Sequence, residues 1–280
     1  MRIAVTGAAG QLGRAVVREC QALHDVVALD HHALDIEDDG AVARRMAEIH
    51  PNAIVNCAAY NNVDGAEDEL LRALALNAFA VRRLARAAEA CGASFVHYGS
   101  DFVFDGTATV PYLEDARPNP LSAYGASKLL GEYFAETKGV WFVLRVESLF
   151  GQVPGAAAKG TIASIRSRLT SGEVVRVFQD RVVTPSYVFD VASATRFVVE
   201  HHVRSGFYHC VNSGVCTWPE LVRHLATELC VEPRLDLVKS SDVRLRAARP
   251  LYCALSNRKL SDAGVQMPPW QDALNRYVNS

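Results

Sequence analysis

The sequence has no excess of positive charge: 29 basic side chains face 31 acidic ones, a formal net charge of −2. A nucleic-acid binder normally gathers a basic surplus on one face, so this balance argues against one. No stretch approaches the roughly 20 consecutive apolar residues that a membrane span requires. The opening Met1-Arg-Ile-Ala-Val-Thr-Gly7 lacks the apolar core and cleavage site of a signal peptide. The seven cysteines include no C-x-x-C pair and no histidine partner at zinc-finger spacing, so neither a structural metal nor a disulfide framework is expected. Several sit in apolar runs such as Ile54-Val-Asn-Cys-Ala-Ala59, which predicts buried, reduced thiols and a cytoplasmic protein. Lysine is scarce too, with five in 280 residues.

What the chain does have is apolar surface. Half of its residues are hydrophobic, enough at this length to build a core unaided, and the length suits one large domain with a smaller lobe. Short runs rich in Val, Ile and Phe at 2–6, 26–29, 53–57, 94–98 and 140–146 read as buried strands. Helical patterns at 11–23, 41–50, 66–91 and 122–137 alternate with them. Within 66–91, Leu70, Leu74, Asn77, Val81 and Leu84 recur at three- and four-residue steps, the spacing of one helix face. Strands alternating with helices predict an α/β fold, a doubly wound parallel sheet of Rossmann type. Residues 1–150 are read as its dinucleotide-binding domain.

Beyond a Gly- and Ala-rich loop at 151–160 the pattern loosens. A helix over 161–171, a strand near 174–178 and a Pro-containing segment at 182–188 follow. Asp190 is expected to cap a helix running to about His202. A strand at 207–211, a helix from Thr217, a strand at 235–238 and two further helices complete the chain. Residues 151–171 and 206–280 are assigned to a smaller C-terminal α/β lobe that binds substrate, with about 172–205 returning to the first domain.

The first strand ends in Thr6-Gly7-Ala-Ala-Gly10-Gln-Leu-Gly13, directly before a helix. Glycines here permit positive φ and close approach of backbone to a pyrophosphate, while the helix N-terminus presents N–H groups and a positive dipole end. The spacing is G-x-x-G-x-x-G, one residue longer at the start than the usual dinucleotide fingerprint. Asp30 closes the second strand, where a carboxylate can accept both hydroxyls of an adenosine ribose and repel a 2′-phosphate. That leans toward NADH over NADPH; His31 and His32 follow, and no Arg is adjacent.

Tyr124-Gly-Ala-Ser-Lys128 lies in a helical segment with Ser122 as its cap. Residues at i and i+4 share a face, so phenol and ammonium point into one pocket. The lysine cation and a bound nicotinamide cation are both expected to lower the phenol pKa, allowing Tyr124 to give a proton to a carbonyl oxygen. With so few lysines, a Y-x-x-x-K is expected by chance only about 0.16 times, and no other tyrosine has one. The fourth strand runs into Gly99-Ser100-Asp101. Ligands bind beyond the carboxyl ends of parallel strands, which is where the Ser100 hydroxyl can polarise a carbonyl.

The glycine turn, Ser100, Tyr124 and Lys128 together resemble the extended short-chain dehydrogenase/reductase group. Within it the chain is similar to the dTDP-4-dehydrorhamnose reductase family along nearly its whole length. The matching stretches are Ile54-Val-Asn-Cys-Ala-Ala-Tyr60 with Val63-Asp64 and Ala66-Glu67, Ser100-Asp-Phe-Val-Phe-Asp-Gly106, Tyr124-Gly-Ala-Ser-Lys128 and Leu144-Arg145. Phe207-Tyr-His209, Thr217-Trp218, Arg249-Pro250 and Trp270-Gln271 continue the match. The resemblance implies NAD(P)H-dependent reduction of the 4-keto group of a nucleotide-linked 6-deoxyhexose, with Tyr124 as proton donor and Lys128 on the nicotinamide ribose. It implies that Gly7, Gly10, Gln11, Leu12 and Gly13 surround the pyrophosphate, with Asp30 on the adenosine ribose. Asp35 and Ile36 would lie near adenine, and Ala58, Ala59 and Tyr60 along the middle of the cofactor. Ser100, Asp101 and Ser148 would face the sugar. Ser100 replaces a threonine common in the family and keeps its hydroxyl.

Two departures stand out. Ser148 occupies the place of a tryptophan that lies against the sugar nucleotide in many members, which leaves the hexose and its nucleotide open. Some members use glutamates for a magnesium site at a dimer contact, but the nearest first-helix position here is Ala15, so no metal is expected and a homodimer stays open. A nucleotide-sugar epimerase and a non-catalytic, cofactor-binding regulatory subunit are the alternative readings. A 4,6-dehydratase is disfavoured because Phe102, which cannot transfer a proton, follows Asp101.

Overall fold

The computed structural model describes residues 1–155, 159–201 and 203–280. The first half builds β1 (Arg2–Thr6), α1 (Gln11–Cys20), β2 (Asp25–Leu29), α2 (Asp39–Ile49), β3 (Ala53–Asn56), α3 (Leu70–Leu74), α4 (Ala80–Cys91), β4 (Ser94–Ser100), α5 (Ala123–Ala135) and β5 (Trp141–Val146). The second half adds β6 (Leu149–Phe150), α6 (Thr161–Thr170), β7 (Val175–Phe178), β8 (Val182–Val183), β9 (Ser186–Tyr187), α7 (Val188–Glu200), β10 (Gly206–His209), β11 (Cys216–Thr217), α8 (Trp218–Glu228), β12 (Leu235–Val238), α9 (Arg258–Asp262) and α10 (Trp270–Val278).

Six parallel strands form the central sheet in the order β2-β1-β3-β4-β5-β10. Successive side chains of a strand point to opposite faces. Ile3 and Val5 of β1 therefore join a core with Leu12 and Val16 of α1 and Val191 and Val198 of α7. Ala4 enters the opposite core with Val42, Met46, Val81 and Leu84. Helices thus cover both faces, as expected for a doubly wound sheet. The chain steps outward from β1 to β2 and then returns to β3 on the other side of β1. This reversal opens a crevice beyond the ends of β1 and β3.

The C-terminal lobe has its own core, built around Ile162, Leu169, Leu221, Leu225, Trp270 and Tyr277. Parallel pairing of β7 with β12 and antiparallel pairing of β8 with β11 supply its small sheets. Among the described residues, no helix is long and apolar enough to cross a membrane.

Several local expectations change. The strand at Gly206–His209, assigned to the C-terminal lobe, pairs with β5 and completes the main sheet. With α7 packed on α1 and β7 paired in the lobe, the segment that returns begins near residue 188 rather than 172. Asp190 is not a cap: α7 starts at Val188, and the Asp190 carboxylate instead accepts bonds from Arg276 and Asn212. The helix ends at Glu200, and the expected end at His202 lies outside the described residues, as do 156–158 of the 151–160 loop.

The single helix expected over 66–91 is broken into a 3₁₀ turn (Gly65–Glu67), α3, a π turn (Ala75–Phe79) and α4. The wider turn sets Asn77 fully inside the fold. Finally, the cysteines are all unpaired thiols, but Cys230 is exposed and Cys57 and Cys91 are half-buried.

Candidate active site

The glycine turn between β1 and α1 is sterically committed. Gly7 has φ +64°, and a Cβ there would stand 2.5 Å from the Ala58 amide nitrogen. A Cβ on Gly13 would collide with the Gly7 carbonyl, so α1 reaches this close to the turn only with glycine in place. Gly10 caps α1 with no side-chain hydrogen bond. The first N–H groups of the helix are left for a ligand, and the dipole end favours an anion.

Thr6 donates through Oγ1 to Asn56 Oδ1 at 2.8 Å, joining the ends of β1 and β3 at the crevice. The same oxygen accepts the Ala58 N–H at 3.1 Å. Gln11 donates through Nε2 to the Gly151 carbonyl at 2.6 Å, which ties the start of α1 to the loop after β6. These features fit a dinucleotide cradle.

The crevice continues as a cleft of about 480 Å³ that collects residues from six places in the sequence. Gly10, Gln11 and Leu12 line it together with Ala58 and Ala59. Ser100 and Asp101, Tyr124 and Lys128, and Ser148 line it too. Ser122 caps α5 by accepting the Gly125 N–H at 3.1 Å, and this fixes the helix that carries Tyr124 and Lys128. Tyr124 packs edge-on against Phe102.

Lys128 turns its ammonium to the Tyr98 carbonyl at 2.6 Å. Burial lowers its pKa to about 8, with Glu132 opposing. The Tyr124 phenol is pushed above the tyrosine range, first by burial and then by the Asp101 carboxylate, while the Ser100 hydroxyl counteracts. The lysine and nicotinamide cations were expected to lower the phenol pKa; in the protein alone burial dominates and raises it, and the Lys128 ammonium is bonded to the Tyr98 carbonyl. The phenol is therefore protonated at neutral pH, the form that carries a proton to donate.

Several predicted residues lie outside the cleft walls. Asp30 sits at the end of β2, where its Oδ1 accepts the N–H groups of His32 and Ala33, both at 2.9 Å. These bonds lower its pKa, so it stays a carboxylate. Asp35 is exposed and accepts the Glu37 N–H at 2.9 Å, whereas the Ile36 side chain is buried in the core beside Leu29 and Val42. Tyr60 directs its hydroxyl away to Glu69 at 2.7 Å and packs with Ala66 and Ala73. Gly7 and Gly13 shape the turn from behind.

Other residues were not assigned to the site from the sequence. Asn61, Val63, Phe102, Leu149 and Lys159 also line the cleft. Asn77 holds the β3 loop to α5: its Oδ1 accepts the Tyr60 N–H at 2.8 Å, and Nδ2 donates to the Tyr60 carbonyl and Ser127 Oγ, both at 3.0 Å. Ser127 passes the link to the Tyr124 carbonyl at 2.7 Å. An asparagine on an otherwise apolar helix face is the signal that could have marked it. Arg249 pairs with Asp64 at 2.7 Å and Arg246 pairs with Asp68, clamping the C-terminal segment to the loop after β3. Behind Ser100, Glu147 is buried next to Asp101, an acid at the end of a β-strand that interrupts an apolar run.

Comparison with known proteins gives one consistent picture. The family model described as RmlD substrate binding domain matches residues 1–280. The spore coat polysaccharide biosynthesis protein SpsK of Bacillus subtilis (strain 168) is 31% identical over 99% of this chain and 96% of its own. A dTDP-4-dehydrorhamnose reductase of Burkholderia thailandensis is 32% identical over 99% of this chain and 98% of its own. The crystal structure of dTDP-4-dehydrorhamnose reductase from Bacillus anthracis str. Ames in complex with NADP superposes with a TM-score of 0.93 at 31% identity, covering 99% of this chain and 98% of that one.

Proposed function

From the premise that the chain belongs to the RmlD substrate binding domain family, we propose that it is an NAD(P)H-dependent reductase of the 4-keto group of a nucleotide-linked 6-deoxyhexose. The observation that carries this reading is the convergence of Ser100, Tyr124 and Lys128 on the cleft that also opens onto the glycine turn. A nicotinamide coenzyme, when bound, supplies the hydride.

The chain's own residues do the rest. The open N–H groups at the start of α1 and the close-packed glycines receive the pyrophosphate, with Gln11 and Leu12 beside it. Asp30 has one carboxylate oxygen engaged by its own loop and offers the other to a ribose hydroxyl, which favours NADH. Lys128 orients the nicotinamide ribose. Ser100 donates a hydrogen bond to the sugar carbonyl, and Tyr124 delivers its proton to that oxygen as the carbon is reduced. Asp101 and Ser148 face the hexose. The unpaired state of all the cysteines suits a cytoplasmic location, where thiols stay reduced.

The test follows NADH and NADPH absorbance separately with dTDP-4-keto-6-deoxyhexoses made in situ, beside a Tyr124→Phe control. Stoichiometric loss of reduced coenzyme that disappears in the variant is the expected result. Sugar conversion without net coenzyme consumption would identify an epimerase, and a variant that kept most of its turnover would remove Tyr124 from the mechanism.

A further inference from the structure

Directly behind Ser100 lies a group of buried side chains to which the reduction gives no part in proton transfer. Asp101, Glu147 and Cys253 each bring one oxygen or sulfur atom within 4.8 Å of the others, and all three are buried. Arg181 is buried beside them; its Nε donates to the Pro250 carbonyl at 3.2 Å and its Nη2 lies 3.8 Å from Cys253 Sγ. The cluster therefore contains its own cation. Glu147 Oε2 accepts both the N–H and the hydroxyl of Thr184 at 2.6 Å, but Oε1 is buried with no partner. Asp101 Oδ1 accepts the Ser100 hydroxyl at 3.1 Å.

Two carboxylates and one guanidinium would leave a buried net charge of minus one. A single proton on the two acids makes the group neutral and gives the orphan Oε1 a role, as the O–H donor of a carboxylic acid facing Asp101. A gap of this size is spanned directly after small side-chain movement or by one water. Like carboxyls out of water cannot both ionise cheaply. The neighbouring titratable groups do not relieve this. Tyr124, Tyr252, Cys216 and Cys253 all have raised pKa values and stay neutral at pH 7, and the Lys128 ammonium is turned to Tyr98. Burial raises the pKa of both acids, and each acid's neighbours add to or trim the rise.

We propose that Asp101 and Glu147 form an acid pair holding one proton, which returns through Ser100 to Tyr124 after each turnover, with Glu147 as the positioning residue that keeps the pair charged with that proton. The inference rests on the reductase reading above. In the step itself, the Tyr124 O–H bond breaks as the sugar O–H forms, leaving a phenolate. Ser100 gives its proton to the phenolate oxygen and takes in exchange the single proton of the pair, which passes from Glu147 through Asp101, so that both acids are left as carboxylates. The pair then regains one proton from solvent through Asp101, which lines the cleft. No electrons move in this return.

Glu147→Gln tests it, because the amide keeps the shape and can still accept from Thr184 but holds no titratable proton. The first readout is the carboxylic-acid carbonyl band in the infrared spectrum of the coenzyme-free protein at pH 7, in H2O and D2O. Wild type should show the band and Glu147→Gln should lose it; its absence from wild type overturns the pair. The second is the pH dependence of kcat on the ketosugar. Without its like-charged neighbour Asp101 ionises more easily, so the basic limb should move to lower pH by roughly one unit or more. Coincident limbs with the band present overturn the proton return. If wild type reduces no ketosugar, the reductase reading fails together with the return step, and the infrared band alone still decides the pair. Should Glu147→Gln fail to bind coenzyme, Asp101→Asn is read by the same band, which it must also abolish.

Discussion

The Lys128 ammonium donates to the main-chain carbonyl of Tyr98 at 2.6 Å, four residues along the helix from the Tyr124 phenol that it is usually expected to serve. The contact anchors α5 to β4 at the level of the cleft and holds a cation in a buried position. Because burial brings the Lys128 pKa down to about 8, its charge is present below that pH and lost as pH rises through it. A cation that steadies the bound coenzyme should therefore make NADH binding weaken above about pH 8. In Lys128→Met this slope should vanish and turnover should fall about 100-fold or more. Coenzyme fluorescence titrations from pH 6.5 to 9.5 read the first effect; a slope that persists unchanged in the variant removes Lys128 as its source.

Coenzyme choice turns on the end of β2. Asp30 is held as a carboxylate by two backbone N–H bonds from its own loop, and a 2′-phosphate placed against it meets like charge. Asp30→Ser removes that charge while keeping a hydroxyl for the turn. The ratio of kcat/KM for NADPH to that for NADH should rise roughly tenfold in the variant. An unchanged ratio would mean that another side chain selects the coenzyme.

Much of this arrangement could be read from the chain because its causes are local. Glycines at 7, 10 and 13 have their effect within a few residues of themselves, and the Tyr124–Lys128 spacing needs nothing beyond a helix. The strands β1 to β5 announce themselves as continuous apolar runs because both faces of the sheet are covered. What escaped depends on partners distant in sequence. Gly206–His209 is a short segment whose place at the sheet edge is decided by β5. Glu147 looks like an ordinary acid until the fold sets Asp101 and Arg181 around it. Asn77 was counted as a step in a helical face, yet it is the π turn that aims its amide at Tyr60.

Asn77 makes that turn testable. Removing its side chain in Asn77→Ala strands the buried Tyr60 N–H and carbonyl together with Ser127 Oγ. Each unsatisfied buried group costs on the order of 1–3 kcal/mol, so a loss of about 3 kcal/mol is expected in urea denaturation. Tyr124 hangs on the same chain of bonds through Ser127, so kcat should fall more than the KM for coenzyme rises. A variant with full stability and unchanged kcat would show that the link is incidental.

Acid stability offers a separate check on the far side of β5. His209 is fully buried, with Nε2 3.4 Å from Arg145 Nη1, and Arg145 is itself paired with Glu132 at 2.9 Å. Burial first, and the Arg145 charge second, lower the His209 pKa to about 3. The folded protein therefore keeps this ring neutral, while the unfolded chain takes up a proton as pH falls through the ordinary histidine value of about 6.5. Below that value the unfolded state binds more protons, so stability attributable to His209 is full above it and declines toward pH 3. Between pH 7 and 5.5 this amounts to about 1 kcal/mol. The Asp101–Glu147 pair, with raised pKa values, acts in the opposite direction over the same range, so the total slope cannot isolate the histidine. The difference between wild type and His209→Gln does, since the carboxyl contribution cancels. The advantage of wild type over the variant should shrink by about 1 kcal/mol from pH 7 to 5.5; an advantage that stays constant would mean that the ring is protonated in the folded state, with Arg145 displaced to make room for its charge.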